Sequence, residues 1–283
     1  MLIPQVALVA ETNEITPSEL TVVSAALQKQ ALRDFGPIWR RRPTVDPFTR
    51  LEDVPLGYWP VWVREDIQTP GAAGVHLDKD GQPFALVQYD DAWSLTASHE
   101  TLEMLADAFG NRLIAGPSVK DDQGRVEYLA EVCDPSEDVQ FSYTVNGVTV
   151  SDFYTPHYFD PELNGIPGVR YSFTGAITKP REVLPGGYLS WHEPVSDHWW
   201  QLVHFGPQPE FVDLGVLGRL MQSLRAEIDS RTTKPLERVW ELTSDNQYLA
   251  RGNERLQAAG EAASSKADAW RNQVDELLHG SRP

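Results

Sequence analysis

A ten-residue stretch, residues 98–107, carries ionisable and apolar side chains at helical spacing. Folded as a helix, it places His99, Glu103 and Asp107 on one side, because residues four apart lie one turn above each other. Glu100 is one residue round from His99 and approaches the same point from the flank. An imidazole and a carboxylate one turn apart are a natural pair of metal ligands, and a neighbouring carboxylate can take a proton from metal-bound water. We therefore expect a metal site here, with His99 and Glu103 as ligands and Glu100 as general base.

The same pattern also has a purely structural interpretation. A His-Glu-x-x-Glu run arises by chance on an acidic chain, and helices often carry carboxylates four residues apart as a solvated face. The segments that precede the helix favour the metal site.

These segments predict a strand, a backing helix, a second strand and a hairpin, in that order. The helix start is marked by Thr16 as N-cap, Pro17 at the first helical position and Glu19 two residues later, and this helix should end near Gly36. The two strands and the hairpin are predicted at residues 5–11, 58–64 and 74–89. The His99 helix follows and should be stopped by Gly110.

The His99–Glu103 stretch resembles the HExxH helix of zincin-type metallopeptidases, with Glu103 in place of the second histidine. The element order over residues 5–111 is similar to the N-terminal subdomain of these peptidases, where a twisted mixed sheet covers the metal helix. The resemblance implies an α+β fold with a zincin-like mixed β-sheet, a backing helix and an active-site helix, followed by a loop- and β-rich region. A similar Ser-His-Glu-x-x-Glu-Met stretch occurs among uncharacterised bacterial and bacteriophage proteins, without an assigned activity.

In the glutamate-zincin branch the third ligand is a Glu downstream of the motif. Glu131 and Asp134 match it by type, and the spacing selects neither; a surface acidic loop is the alternative for both. The resemblance makes zinc the first expectation. Such a His-plus-carboxylate set is harder than the usual zinc set, so Mn, Fe or Ca are alternatives. Asp107 is expected to hold a metal-ligating side chain in its orientation without binding the metal itself, because a third ligand from the same helix reaches the metal poorly.

Two other groups of side chains are candidate sites. Tyr154, His157 and Tyr158 could supply a ligand or an oxyanion-stabilising hydroxyl, although a histidine among aromatic residues is more often part of a core. Residues 188–205 hold three tryptophans and three histidines. A rival metal site there, from His192, Glu193, Asp197 and His198, has no recognised spacing, so this region is predicted to be core or a partner surface.

From residue 209 the pattern becomes helical. One helix is predicted at 212–229, and a longer one at 235–279 repeats an apolar residue every seven positions. Its other seam positions are polar or small, which suits either a helix laid against another chain or an amphipathic tail. We therefore divide the chain into a domain at 1–208 and a helical region at 209–283, a candidate assembly arm or homo-oligomer contact.

The net charge of the chain limits the classes of partner that it can bind. The net charge of -17 over 283 residues disfavours nucleic acid and anionic membranes, because both would repel such a surface. No apolar run approaches the roughly 18 residues of a membrane span, and the N-terminus lacks the basic region of a secretory signal. A lone Cys133 excludes an intramolecular disulfide and suits a reducing compartment. We expect a cytoplasmic protein, or a virion-associated one if the chain is of phage origin.

Two functions follow from these patterns. The first is a metal-dependent peptidase that acts on an extended peptide or protein substrate. The alternative is a zincin-like scaffold with little or no catalysis that serves as a structural or assembly protein, because Glu103 adds negative charge where a neutral histidine would leave the metal a stronger Lewis acid. Convergence of Glu100, Glu103 and a third ligand in an open groove would favour the peptidase. Pairing of Glu103 with an arginine or lysine, without a cleft, would favour the scaffold.

Overall fold

The computed structural model describes residues 3–68, 72–79, 81–218 and 223–232. The heptad helix predicted at 235–279 lies outside these residues. The described part has an α+β fold with two five-stranded sheets, a small hairpin and four α-helices. None of its helices is long and apolar enough to cross a membrane.

The first sheet is mixed and lies beneath the candidate site. Its strands have the order β2-β1-β3-β5-β4. The first four in this order run parallel, and β4 runs antiparallel along the edge. The strands predicted at 5–11 and 58–64 and the hairpin at 74–89 are confirmed. The strands are β1 (Gln5–Ala10), β2 (Thr44–Phe48), β3 (Trp59–Arg64), β4 (Gly74–Lys79) and β5 (Gln82–Gln88).

Helix α1 (Pro17–Lys29) begins where its capping residues predict. The Thr16 hydroxyl accepts the backbone N–H of Glu19 at 3.2 Å. The expected end near Gly36 is wrong, because the chain continues through a π-helical turn (Gln30–Phe35) into a short helix, α2 (Gly36–Trp39). The left-handed Arg40, at φ 56°, then ends the helical segment.

Helix α3 (Trp93–Ala106) carries the His-Glu-x-x-Glu pattern and is buried along almost its whole length. It packs on β3, β4 and β5 of the first sheet. Arg41 and Arg112 donate hydrogen bonds to the carbonyls of Leu105 and Ala106, at 3.0 and 2.9 Å. Two arginines from outside the helix therefore satisfy carbonyls at its C-terminal end.

The second sheet is antiparallel throughout, with the order β12-β11-β10-β7-β6. A separate hairpin, β8 and β9, turns at Asn146 and Gly147, which both have the positive φ that a two-residue hairpin turn of this kind requires. The remaining strands are β6 (Leu113–Pro117), β7 (Arg125–Leu129), β8 (Tyr143–Val145), β9 (Val148–Val150), β10 (Tyr188–Glu193), β11 (His198–Val203) and β12 (Glu210–Gly215).

The helix predicted at 212–229 is wrong in its first part. Val212 lies in β12, because pairing with β11 overrides the helical spacing of the local apolar residues. The helix here is α4 (Leu224–Arg231), whose Ile228 packs on Leu129 and Trp199 of the second sheet. Both β12 and α4 lie beyond residue 209 and contact elements that precede it.

Candidate metal centre

The rotation of α3 is fixed by a buried hydrogen-bond network beside His99. The Ser98 hydroxyl donates to the Gln30 side-chain carbonyl at 2.8 Å and accepts the Ser151 backbone N–H at 3.0 Å. The Gln30 amide in turn donates to the Ser151 carbonyl at 2.9 Å. Gln30 reaches this position from the π-helical turn that follows α1. The network determines which face of α3 meets the centre described next.

Glu103 lies in the middle of a cluster of buried ionisable side chains. Its Oε1 accepts the Cys133 backbone N–H at 3.1 Å, which holds the carboxylate in place. Its Oε2 lies 3.3 Å from His99 Nε2, and the same nitrogen lies 3.3 Å from Asp134 Oδ1. Oxygens of Glu103, Glu131 and Asp134 all lie within 4.8 Å of one another. The structure thus brings His99 and Glu103 of α3 together with both candidates for the third ligand, Glu131 and Asp134, from the segment that follows β7.

The two 3.3 Å separations at His99 suit ligands of a common ion. They are longer than a usual side-chain hydrogen bond of about 2.7–3.2 Å. Neighbouring ligands of a tetrahedral ion with bonds of about 2.0–2.1 Å lie about 3.3 Å apart. His99 is also the most exposed of the cluster, with 10% of its side chain accessible, so the centre is nearest to solvent on its side.

A second histidine, which the sequence analysis did not single out, faces the same centre. His76 of β4 is fully buried, and its Nδ1 lies 3.6 Å from Glu100 Oε2 and 3.7 Å from Glu103 Oε2. Neither of its ring nitrogens has a hydrogen-bond partner among the described residues. The sequence feature that could have identified His76 is its position in the hairpin predicted directly before the helix.

Gly74 allows β4 to approach α3 this closely. A Cβ at this position would lie 2.6 Å from Thr96 Cγ2 and 2.7 Å from Glu100 Oε1. Gly74 and His76 are two residues apart on one strand, so they face the same side of the sheet. The absence of a side chain at Gly74 is what lets His76 reach Glu100.

Arg225 of α4 also enters the cluster. Its Nη1 lies 2.5 Å from Glu103 Oε2 and 3.7 Å from Asp134 Oδ2, and it contacts the Glu131 carboxylate. Its Nε lies 2.6 Å from Asp229 on the same helix, and the side chain is 3% exposed. Arg225 is not predictable from the sequence, because 122 residues separate it from Glu103 and no local sequence pattern indicates contacts between residues so far apart.

The buried charges shift the pKa values of both histidines upward. Burial alone would lower the pKa of His76, but the carboxylates of Glu100 and Glu103 outweigh it and raise the pKa to about 9. Burial likewise opposes the charged form of His99, and Glu103 and Asp134 together raise its pKa well above the ordinary value. Without a bound cation, both imidazoles therefore carry protons at neutral pH.

The carboxylates respond in opposite directions. Burial would raise the pKa of Glu103, but the charges of Arg225 and His99 hold it well below the ordinary value. The pKa of Asp134 is raised well above its ordinary value, first by burial and then by the charge of Glu103. Burial and Glu103 also raise the pKa of Cys133, so its thiol stays protonated and points to the His99 carbonyl at 3.8 Å. Arg225 and His99 therefore stabilise the charged form of Glu103, whereas burial and the charge of Glu103 destabilise the charged form of Asp134.

No protein-family model, curated protein or solved structure matches this chain. Its function has to follow from the geometry of the centre.

Asp107 and the aromatic group differ from what the sequence predicts. Helix α3 ends at Ala106, and Asp107 accepts the Arg112 backbone N–H at 2.6 Å, so its carboxylate holds the turn after the helix. His157 is exposed rather than part of a core. The rings of Tyr154 and Tyr158 are buried and stack at 4.5 Å. The Tyr154 hydroxyl has no hydrogen-bond partner among the described residues, so its oxyanion role stays a prediction.

The rival group at 188–205 is divided among separate partners. His192 lies between Glu127 and Asp197, at 3.2 and 2.9 Å. The Glu193 carboxylate accepts two backbone N–H groups of its own turn, and His198 pairs with Asp213 at 2.9 Å. These contacts account for the residues as ion pairs and a turn cap.

Proposed function

We propose that this protein is a metal-dependent hydrolase of the zincin type that acts on peptides, with His99, Glu103 and Asp134 as ligands. The observation that carries the proposal is the convergence of His99, Asp134, Glu131 and His76 on the Glu103 carboxylate. Buried polar atoms are normally paired. Both nitrogens of His76 and the Oε1 atom of Glu131 have no hydrogen-bond partner among the described residues. Glu131 Oε2 meets the Arg225 guanidinium, and the Asp134 oxygens lie 3.3 Å from His99 and 3.7 Å from Arg225. A bound cation would give these atoms a partner.

His76 bears on the identity of the ion. The zincin pattern has a second imidazole where this chain has Glu103, and β4 brings an imidazole to the same centre. Two histidines with one glutamate form a known catalytic zinc set. Here each histidine shares a separate group of close ligand atoms with Glu103. We therefore place zinc first, with Mn, Fe or Ca as alternatives that the additional carboxylates of Glu131 and Asp134 would suit.

Glu100 is the proposed general base. A divalent ion bound at this centre would polarise a scissile carbonyl and make a water more acidic. Glu100 is buried beside the centre, and its Oε2 has no hydrogen-bond partner among the described residues, so it can accept that water's proton. The proton would then be available to the leaving amine.

The edge strand β4 is the proposed substrate-binding element. It is antiparallel to its neighbour β5 and lies against α3. In zincin peptidases the last strands before the metal helix form the upper rim of the substrate cleft, and the observed strand positions support that comparison. An extended peptide could pair with the backbone of such an edge.

Replacement of Glu100 tests the proposal. With zinc or manganese present, we expect wild-type protein to cleave members of a quenched fluorescent peptide library, and Glu100→Gln to lose at least about 100-fold in rate while keeping its metal, because the base is lost and the ligands are not. Glu127→Gln, a carboxylate on β7 outside the centre, is the matched control and should cleave normally. Cleavage by Glu100→Gln at the wild-type rate would contradict the proposed role.

The contact between Arg225 and Glu103 favours a second function, a zincin-like scaffold without efficient catalysis. An arginine can neutralise buried carboxylates and so replace an ion structurally. This function predicts that wild-type protein binds no divalent metal, cleaves no peptide and self-associates or docks through residues 209–283. Light scattering of full-length protein against a chain truncated after residue 232 measures that association.

A further inference from the structure

The Arg225 guanidinium takes the position in which a metal ion would meet the carboxylates. Its Nη1 contacts Glu103 and Glu131 and lies 3.7 Å from Asp134 Oδ2. An ion ligated by the same oxygens needs to be about 2.0–2.2 Å from each of them. The guanidinium nitrogen and the ion therefore exclude each other from these oxygens.

We propose that Arg225 is an internal competitor of the metal ion, so that the docking of α4 regulates metal binding at the centre. With α4 docked, the guanidinium neutralises the carboxylates; with Arg225 withdrawn, the same carboxylates take a divalent cation. This inference rests on the proposed function, because it requires a metal-binding centre.

Asp229 makes such a withdrawal possible. Its carboxylate lies 2.6 Å from Arg225 Nε, one helical turn further along α4. The guanidinium therefore has counter-charges in the centre and another on its own helix. On leaving the centre, Arg225 keeps the Asp229 partner, and the charges left uncompensated are the buried carboxylates, which an incoming divalent cation would neutralise.

The docking of α4 depends on a small number of contacts near the end of α3. The backbone N–H of Arg225 donates to the Gly110 carbonyl at 3.0 Å, and that of Leu224 donates to Asn111 Oδ1 at 2.9 Å. Gly110 has φ 59°, and a Cβ there would lie 2.8 Å from Arg225 Cβ. On the apolar side Ile228 contacts Leu129 and Trp199. The turn that ends the ligand-bearing helix thus also seats the competing cation.

Loss of the Arg225 charge should strengthen metal binding. We would titrate zinc, against a fluorescent chelator, into wild type, Arg225→Met and the control Arg50→Met. Arg50 is exposed and pairs with Asp53, outside both the centre and α4. We expect about tenfold tighter binding by Arg225→Met if about nine wild-type molecules in ten hold the guanidinium in place, and no change for Arg50→Met. Equal or weaker zinc binding by Arg225→Met would overturn the inference.

A second variant loosens α4 while keeping the charge. Ile228→Ala removes the apolar anchor of the helix, and we expect it also to bind zinc more tightly than wild type; weaker binding would count against regulation by docking. If Arg225→Met is unfolded without metal, circular dichroism should show that zinc restores the fold, and failure to do so would overturn the inference.

The outcomes separate this inference from the proposed function. Zinc binding that is lost in His99→Ala but equal in wild type, Arg225→Met and Ile228→Ala would remove Arg225 as a competitor and leave the metal centre in place. Zinc binding by none of the variants would remove the metal centre itself.

Discussion

The Oε2 atom of Glu103 faces His76, His99 and Arg225 at 3.7, 3.3 and 2.5 Å. The other oxygen of this carboxylate is held by the Cys133 backbone, so its orientation is fixed. A second histidine at position 103 would bring one nitrogen to the centre. The glutamate instead brings a charge that three basic groups can share, so the same position can serve a protein cation and, as proposed, a metal ion.

His76 predicts a pH dependence of the stability of the metal-free protein. Its folded pKa of about 9 lies above the ordinary value of 6.5. The stabilisation from its protonated form is therefore fully present below about pH 6.5 and is lost as the pH rises through about 9, with a total on the order of 3 kcal/mol. Urea unfolding with chelator present, from pH 6 to 10, should show wild type losing its advantage over His76→Gln across this range.

His157→Gln is the matched control, because His157 is exposed. Its stability should follow that of wild type at every pH. A difference between wild type and His76→Gln that stays constant across the range would show that His76 is not charged in the folded protein.

The candidate residues differ in how far the sequence reveals them. His99 and Glu103 are one helical turn apart, so local spacing is enough to pair them. Glu131 and Asp134 could be named by residue type, but only the fold shows that both reach Glu103. His76 and Arg225 come from a strand and a distant helix, and their contacts depend on tertiary packing that no local pattern encodes.

Strand β4 and helix α3 carry the side chains that face each other in the candidate centre, and Gly74 allows the two elements to lie this close together. Thr96 and Glu100 fill the space that a Cβ would need. The elements themselves were predictable, because the strands and the β4–β5 hairpin follow apolar runs and turn signals. The strand at β12 was not, because pairing with β11 decided its conformation.

Gly74→Ala should therefore destabilise the protein and displace β4 from α3. Overpacking of this kind typically costs about 1–3 kcal/mol, and here it also pushes on Glu100. Gly124→Ala is the matched control, since a Cβ there meets nothing within 4 Å and its φ is ordinary. Thermal unfolding measures both variants. Equal melting temperatures for Gly74→Ala and wild type would show that β4 and α3 can separate without penalty.

At the scale of the whole molecule, the centre lies where the two sheets meet. His76 belongs to the first sheet and α3 packs on it, Glu131 and Asp134 follow β7 of the second, and α4 packs on both. A net charge of -17 makes a cation-gathering centre electrostatically consistent with the rest of the chain. The α+β class was predictable from element order, whereas the assembly of the centre from two sheets was not.

Metal content tests the central claim most directly. Wild-type protein, His99→Ala and the exposed control His157→Ala would be purified without chelator or affinity metal, dialysed against zinc and then against metal-free buffer, and analysed by inductively coupled plasma mass spectrometry. The account predicts near-stoichiometric zinc in wild type and His157→Ala, and its loss in His99→Ala. Zinc in wild type no higher than in His99→Ala would contradict a metal centre at Glu103.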